Sequence, residues 1–336
     1  MGVYRVIGIM SGSSMDGVDL AFCELSESNG TWSYTIQAAE TIAYEMKWRN
    51  RLSQLYKQTA MVYAKTDAYY GRYLGELVNG FINKHRIHAD FIASHGHTVF
   101  HSPTEGYTTQ IGHGAFIHAI TGLPVISDFR TTDVAMGGEG APLVPIGDKY
   151  LFGDYGFCLN LGGFANITAN SSGTMHAFDI APCNIVLNRT ARLLELEYDE
   201  NGNEAAKGTV DANLLTDLNA IEFYTQPWPK SLNREWINKV FWPVAKNYRI
   251  APQDKLATLC EHIAMQVAQS AKVIKEHYNI NNNRLLVTGG GAFNQYLADK
   301  LREHCTLEVH IPEETTVNFK EALIFAFLGV LRVLQK

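Results

Sequence analysis

The chain has 336 residues, 46% of them hydrophobic and 18% charged, with a net charge of −6. That length suits about two domains of ordinary size, and the composition suits a compact globule. The acidic balance without a Lys/Arg block argues against nucleic acid as a partner, and the most apolar helix, 322–334, is too short to span a bilayer and carries Arg332.

Arg5 interrupts the N-terminal apolar run and Asp16 follows soon after, so no secretory signal is expected there. Cys23, Cys158, Cys183, Cys260 and Cys305 are odd in number, scattered and without CxxC spacing. They read as reduced thiols of a cytoplasmic protein rather than as disulfides or a zinc site.

In chain order, strands are expected over 4–10, 18–25 and 32–44, broken by Gly12, Gly17 and the turn at 28–30. Between the first two lies a Ser/Gly turn. Gly12 and Gly17 permit positive φ and close approach of an anion, and Ser11, Ser13 and Ser14 add hydroxyl donors. Asp16 and Asp19 add carboxylates for a metal ion. Such a turn suits an ATP-dependent phosphotransferase without the Walker lysine. Residues 65–85 carry Tyr70, Leu74, Leu77, Val78, Phe81 and Ile82 at helical spacing. A strand at 90–94, a hairpin at 101–111, a helix at 115–121 and a strand at 124–129 follow. Residues 133–147 are rich in Gly and Pro, and a domain boundary is placed after them, at 147/148.

The second half repeats the opening plan. A strand at 157–161, a Gly162-Gly163 turn and a returning strand at 165–169 suggest two related half-molecules. A strand at 176–179 follows, then helices at 184–196, 210–223, 231–247 and 253–277. A strand at 284–287 runs into Thr288-Gly289-Gly290-Gly291, and a strand at 307–311 and a closing helix at 321–334 complete the chain. The turns at 11–17, 161–166 and 288–291 each follow an apolar strand, at the carboxyl end where ligands bind in α/β sheets. Taken singly, each glycine can simply permit its turn. Together they suit a nucleotide in a cleft between two domains.

This three-part pattern resembles the sugar kinase/chaperone ATPase/actin superfamily. More closely, the chain resembles the anhydro-N-acetylmuramic acid kinases of bacteria. Residues 9–19 match that family's Met-Ser-Gly-Thr-Ser-x-Asp-Gly-x-Asp, and the Ser-His-Gly-His-Thr-Val-Phe-His of 94–101 also matches, with His97 in place of the family's usual Gln. Gln110-Ile111-Gly112, Asp128-Phe129-Arg130, the Gly-Gly-Glu-Gly-Ala-Pro-Leu-Val-Pro of 137–145 and the Asn-Leu-Gly-Gly-Phe-Ala-Asn of 160–166 continue the match. Phe178-Asp179, Pro182, Asn184, Gly289–Gly291 and the Glu-Ala-Leu-Ile-Phe-Ala of 321–326 complete it in the family's order.

The resemblance implies a two-domain actin-like or sugar-kinase α/β fold, each domain a mixed sheet flanked by helices. The first domain would be 1–147 joined by a closing helix at 319–336, and the second 148–318. It implies phosphorylation of O6 of 1,6-anhydro-N-acetylmuramic acid by ATP, with water opening the anhydro bridge, in cytoplasmic recycling of cell-wall sugar. Asp179 is then the general base. Ser11, Gly12, Ser13, Ser14, Met15, Asp16, Gly17, Val18, Asp19, Asn160, Gly162, Gly163, Asn166, Gly289, Gly290 and Gly291 would bind nucleotide. Thr98, Arg130 and Glu321 would bind sugar, and Asp16 would hold Mg²⁺ through water. A homodimer is also implied.

Position alone leaves alternatives open. Asp179 can cap the helix starting near Asn184, Arg130 can pair with Asp128 or Asp133, Glu321 suits any first helical turn, and Asp16 any Asx turn. His95, His97 and His101, with His113 and His118 beyond, form a cluster in which His95 and His97 could share a strand face and hold a metal, the pattern of a metal-dependent hydrolase. The chain departs from the family pattern at Ile180, Ala181, Cys183, His97, Glu139 and Asn318, each expected to touch the cleft. These changes keep a second alternative open: an ATP-binding kinase-like protein acting on another sugar or as a regulator.

Overall fold

The computed structural model describes residues 2–12 and 15–336, which fall into two compact units, Met1–Leu151 with Phe319–Lys336, and Phe152–Asn318. Ser13 and Ser14 of the first turn lie outside the described residues.

The first unit is built on a six-stranded mixed sheet. β1 (Val3–Ser11), β2 (Gly17–Ser28) and β3 (Thr31–Ala43) form an antiparallel meander. α1 (Met46–Gln54) and α2 (Ala60–His85) lead to β4 (Phe91–Ser102), which runs parallel to β1. β4 continues eight residues beyond the strand expected at 90–94, because its far half pairs with β5 (Tyr107–Ile111). α3 (Gly114–Thr121) precedes β6 (Val125–Ser127), which adds in parallel to β4, and α4 (Thr131–Ala135) and α5 (Val144–Leu151) end the segment.

β1 is buried on both faces and its side chains divide between them. Ile7 and Ile9 join Tyr70, Leu74, Val78 and Phe81 of α2 in one core. The opposite face receives α12 (Glu314–Val333), whose Ile324, Phe325 and Leu328 pack with Met10 and Phe129. Gly8 sets that approach, since a Cβ there would sit 1.9 Å from the carbonyl oxygen of Ala322.

The second unit has a five-stranded mixed sheet. β7 (Phe157–Leu161), β8 (Phe164–Ser171) and β9 (Thr174–Pro182) are antiparallel. After α6 (Asn184–Ala191), α7 (Ala212–Asn219), and α8 (Arg234–Trp236) joined by a π turn to α9 (Trp242–Asn247), the long α10 (Pro252–His277) lies against the sheet. Pro252 at its first turn supplies a preset φ and gives up an amide that has no helical partner there. β10 (Arg284–Thr288) is parallel to β7, α11 (Gln295–His304) follows, and β11 (Glu308–His310) is parallel to β10.

The strand orders β3-β2-β1-β4-β6 and β9-β8-β7-β10-β11 are the same plan executed twice, with the same directions in each sheet. The α/β class with two mixed sheets flanked by helices is the one expected from the sequence. Among the described residues no helix is long and apolar enough to cross a membrane.

Candidate functional site

In the first unit, β1 delivers the chain to the 11–17 turn. Ser11 is 2% exposed and its hydroxyl turns inward, 2.6 Å from the Tyr44 hydroxyl and 2.9 Å from His97 Nδ1. Tyr44 continues the chain to the hydroxyl of the fully buried Tyr70. The Tyr44 backbone amide also donates to the carbonyl of Asp16 at 3.1 Å. One residue therefore pins both ends of the turn. Met15, at φ 62, donates its amide to the Gly12 carbonyl, which tightens the bend. Gly17 and Val18 are buried, and a Cβ at Gly17 would lie 2.4 Å from the Ile42 carbonyl oxygen.

Asp16 is exposed and Asp19 half-buried, with Asp19 Oδ1 accepting the Thr41 hydroxyl at 2.6 Å. Burial raises the Asp19 pKa, the Thr41 bond opposes that, and the Asp16 charge adds to the rise. Two mutually repelling carboxylates at a phosphate-type turn fit a divalent cation that keeps most of its water. Among the described residues no cluster of three or more His, Cys, Asp or Glu is placed to hold a metal alone.

The histidines do not share a face. Gly96 sits at φ 72 and interrupts the alternation of β4. The His95 ring packs on Phe325 of α12 at 4.6 Å, whereas His97 meets Tyr70 of α2 edge-on at 6.4 Å. Burial lowers the His97 pKa to about 4, and burial together with the Arg130 charge lowers that of His95 to about 3. Both rings are neutral and hydrogen-bonded, and His101 contacts the Thr108 hydroxyl through Nδ1. The shared strand face expected for a metal pair is thus replaced by two separate hydrogen-bonding roles.

Arg130 donates from Nε to His95 Nε2 at 3.0 Å and from Nη1 to the Gly140 carbonyl at 2.7 Å. Gly140 is held in turn by Asp133, so the glycine-rich 137–145 segment is fastened to the arginine. Glu321 and Arg130 feel each other's charge. Burial raises the Glu321 pKa and the Asp19 charge adds to it, while Lys320 and Arg130 oppose the rise. Asp19, Arg130 and Glu321 thus form one electrostatic group. Thr98 lies on β4 opposite Gln110 and is half-buried.

In the second unit, strand register aligns the polar residues. Thr288, Asn160, Asn166 and Asp179 are successive cross-strand partners on β10, β7, β8 and β9, which puts their side chains in one row on one face. A bulge between Ala165 and Asn166 brings Asp179 into that register. Asp179 Oδ2 accepts the Leu232 amide at 2.8 Å, and its own amide donates to the Lys230 carbonyl. Burial raises the Asp179 pKa and the Leu232 bond moderates the rise. Ile180, Ala181 and Cys183, expected to line the cleft, instead point into the hydrophobic core of this unit.

The other two glycine turns meet here. A Cβ on Gly289, at φ 82, would lie 2.4 Å from Asn160 Oδ1 and 2.9 Å from the Leu161 carbonyl carbon. Asn184 lies between the turns, its side-chain amide donating to the Leu161 carbonyl at 3.0 Å and its backbone amide to the Gly162 carbonyl at 3.1 Å, with Gly290 and Gly291 alongside. Asn184 therefore begins α6 without Asp179 as its cap. Gly163 is exposed, with open space around it. Beside these turns is a cavity of about 490 Å³ lined by Asn184, Gly290, Gly291 and Asn294, with Tyr198 and Phe293 presenting partly exposed aromatic faces and Glu200, Glu314 and Asn318 adding polar groups. Its size suits a nucleoside. Sequence reasoning did not single out Tyr198, Asn201 or Phe293 of this lining, for they belong to no local pattern.

The family model for anhydro-N-acetylmuramic acid kinase matches residues 4–335. The anhydro-N-acetylmuramic acid kinase of Synechococcus elongatus is 33% identical, covering 98% of this chain and 93% of its own. That of Pseudomonas syringae pv. tomato is 33% identical, covering 96% of this chain and 91% of its own. Component A of the (R)-2-hydroxyglutaryl-CoA dehydratase of Acidaminococcus fermentans superposes with a TM-score of 0.50 over 99% of this chain and 100% of its own, at 13% identity, a likeness of fold alone.

Proposed function

The chain belongs to the anhydro-N-acetylmuramic acid kinase family, and on that premise we propose that it uses ATP to phosphorylate O6 of 1,6-anhydro-N-acetylmuramic acid while water opens the anhydro ring. The product is N-acetylmuramic acid 6-phosphate, and the role is cytoplasmic recycling of cell-wall sugar.

In this reaction O6 forms a bond to the γ-phosphorus as its bond to the anomeric carbon breaks. ADP leaves, the water oxygen bonds to the anomeric carbon, and the water proton passes to Asp179. The observation that carries this reading is the polar row ending in Asp179. Its Oδ2 is taken by the Leu232 amide, so among the described residues Oδ1 is the oxygen that remains for water. A base must be held within hydrogen-bond reach of the water it activates, and two backbone contacts hold this one. Burial keeps its proton affinity above that of an ordinary aspartate, which favours uptake of the proton.

The Gly162, Gly163 and 289–291 backbone, with Asn160 and Asn166, serves the phosphates in this reading, and the adjoining cavity holds the nucleoside with Tyr198 or Phe293 against the base. The 11–19 segment faces the phosphates in this reading too, with its Ser11 hydroxyl committed to Tyr44 and His97. Asp16, through water and near Asp19, would hold magnesium, which neutralises charge developing on the phosphate oxygens. Arg130 suits the lactyl carboxylate, with Glu321 and Thr98 on sugar hydroxyls.

The test is incubation of the purified protein with ATP, Mg²⁺ and the anhydrosugar in ¹⁸O-water. Sugar-dependent ADP release, with ¹⁸O at the anomeric carbon and none in the phosphate, is expected. Absence of turnover, or ATP hydrolysis indifferent to the sugar, defeats the reading and leaves an ATP-binding kinase-like protein of other function.

A further inference from the structure

His95 is buried in β4, is neutral and is not required by the chemistry above, yet its surroundings are fully specified. Its Nδ1 lies 2.9 Å from the Gly96 carbonyl oxygen, which can only accept, so the ring proton is on Nδ1. Nε2 is then a lone-pair acceptor, and it receives the Arg130 Nε–H at 3.0 Å. Phe325 packs on the ring at 4.6 Å and holds its plane. Desolvation and the adjacent guanidinium keep the ring uncharged down to a pH of about 3, so it remains an acceptor throughout the working range.

The guanidinium has two forked edges, one formed by Nε with Nη2 and the other by Nη1 with Nη2. His95 occupies the first edge at Nε. Gly140 takes one proton of Nη1, and its own place is set by Asp133, whose Oδ2 accepts the Gly140 amide at 2.6 Å. One Nη1 proton and both Nη2 protons therefore remain, one of the Nη2 pair on the outer edge and the other beside the occupied Nε.

We propose that His95 is a positioning residue for Arg130: its imidazole blocks the Nε edge and turns the outer Nη edge to the carboxylate of the sugar's lactyl group. This rests on the reaction assigned above. It makes recognition of the lactyl carboxylate depend on a neutral acceptor that does not touch the substrate. His95 keeps the α12 side of β4 that Phe91 and Ala93 also face, and the flip at Gly96 turns His97 away to α2, so that only His95 of the pair meets Arg130.

Two amide replacements separate the contacts. Asn at 95 reaches the Gly96 carbonyl with its amide but has no atom where Nε2 lies. Gln places an amide oxygen near the Nε2 position and can accept from Arg130. Steady-state kinetics are measured with 1,6-anhydro-N-acetylmuramic acid and with 1,6-anhydro-N-acetylglucosamine, which lacks the lactyl group. His95→Asn is expected to raise the KM for the muramic sugar about tenfold, with kcat and the KM for ATP within about twofold and the ratio of kcat/KM between the two sugars reduced by a similar factor. His95→Gln is expected to recover most of that loss. A folded Asn variant with an unchanged sugar KM overturns the inference, as does equal damage to ATP and sugar parameters or a failure of Gln to rescue. If the unaltered protein does not turn over the muramic sugar, the assigned reaction fails first, a result distinct from any of these, and the role of His95 falls with it.

Discussion

Gly289→Ala tests whether the 288–291 turn is built around the absence of a side chain. Gly289 has φ 82 and ψ 162, a region open essentially to glycine alone. An alanine Cβ would meet Asn160 Oδ1 at 2.4 Å, the Leu161 carbonyl carbon at 2.9 Å and the Leu161 nitrogen at 3.0 Å. The Asn160 amide can rotate away. Leu161 cannot yield as easily, because its backbone is held in the β7–β8 ladder opposite Ala165. Backbone strain of about 1–3 kcal/mol plus overpacking against a fixed strand end gives an expected loss of about 2–5 kcal/mol. The chain can relieve part of this by moving the turn away from β7, but Gly290 and Gly291 move with it, and they line the cavity. Nucleotide affinity should therefore fall at least about tenfold, equivalent to about 1.4 kcal/mol. Gly163→Ala is the contrast, since nothing lies within 4 Å of its Cβ. It should leave stability within about 0.5 kcal/mol and weaken ATP alone, by filling space intended for phosphate. Urea unfolding and calorimetric titration with a non-hydrolysable ATP analogue read both quantities. A Gly289→Ala protein with unchanged unfolding midpoint and unchanged affinity refutes the reasoning. Unchanged affinity in Gly163→Ala removes the 161–166 turn from the phosphate site.

Three further outcomes are expected. Asp179→Asn should lower kcat by about 10²–10⁴ while ATP still binds, and the acid limb of the kcat profile of the unaltered enzyme should lie above the ordinary aspartate range because burial raises this carboxyl. Single-turnover assays across pH decide it, and near-normal turnover by the Asn variant would assign the base elsewhere. Tyr44→Phe removes the Tyr44 partner of the Tyr70 hydroxyl in a fully buried site and leaves it Ser11 alone, at a cost of about 1–3 kcal/mol, and adding Tyr70→Phe should recover part of that. A double-mutant cycle that closes additively contradicts the hydroxyl chain. Finally, His97 has a folded pKa of about 4 against an ordinary 6.5, so the unfolded chain binds its proton first as pH falls. Its contribution is complete above about pH 6.5 and is lost as pH falls toward 4, on the order of 3 kcal/mol. His97→Gln should flatten stability over that window, and an unchanged slope would show that the ring titrates normally.

The family and the α/β fold were legible because both are written locally. An apolar strand followed by a Ser/Gly turn is recognisable within fifteen residues, and β1, β7 and β10 lie where such patterns occur. Boundaries were less legible where a partner sets them. β4 runs to Ser102 because β5 returns alongside it, and the helix expected over 231–247 starts at Arg234 and contains a π turn over Ile237–Phe241. By position alone, the departures at Ile180, Ala181 and Cys183 fall at the expected cleft. The bulged end of β9 sends Ile180 and Ala181 into the core, and the start of α6 sends Cys183 there too.

The order of motifs along the chain was sufficient by itself for the family, the fold class and the residue types available for chemistry. It depends on short-range rules: strand periodicity, glycine at turns, carboxylates beside them. The direction each side chain takes, and the distant group that holds it, was decided only by the tertiary structure. Ser11 turns inward to Tyr44 and His97, 33 and 86 residues away. His97 turns to α2 while His95 stays on the α12 side and meets Arg130, 35 residues on, because one glycine reverses the pleat between them. The polar row from Thr288 to Asp179 exists only when β10 comes into register with the β7–β8–β9 meander more than a hundred residues before it. Hydrogen bonds and register act between residues that folding brings together, so no window of sequence contains them.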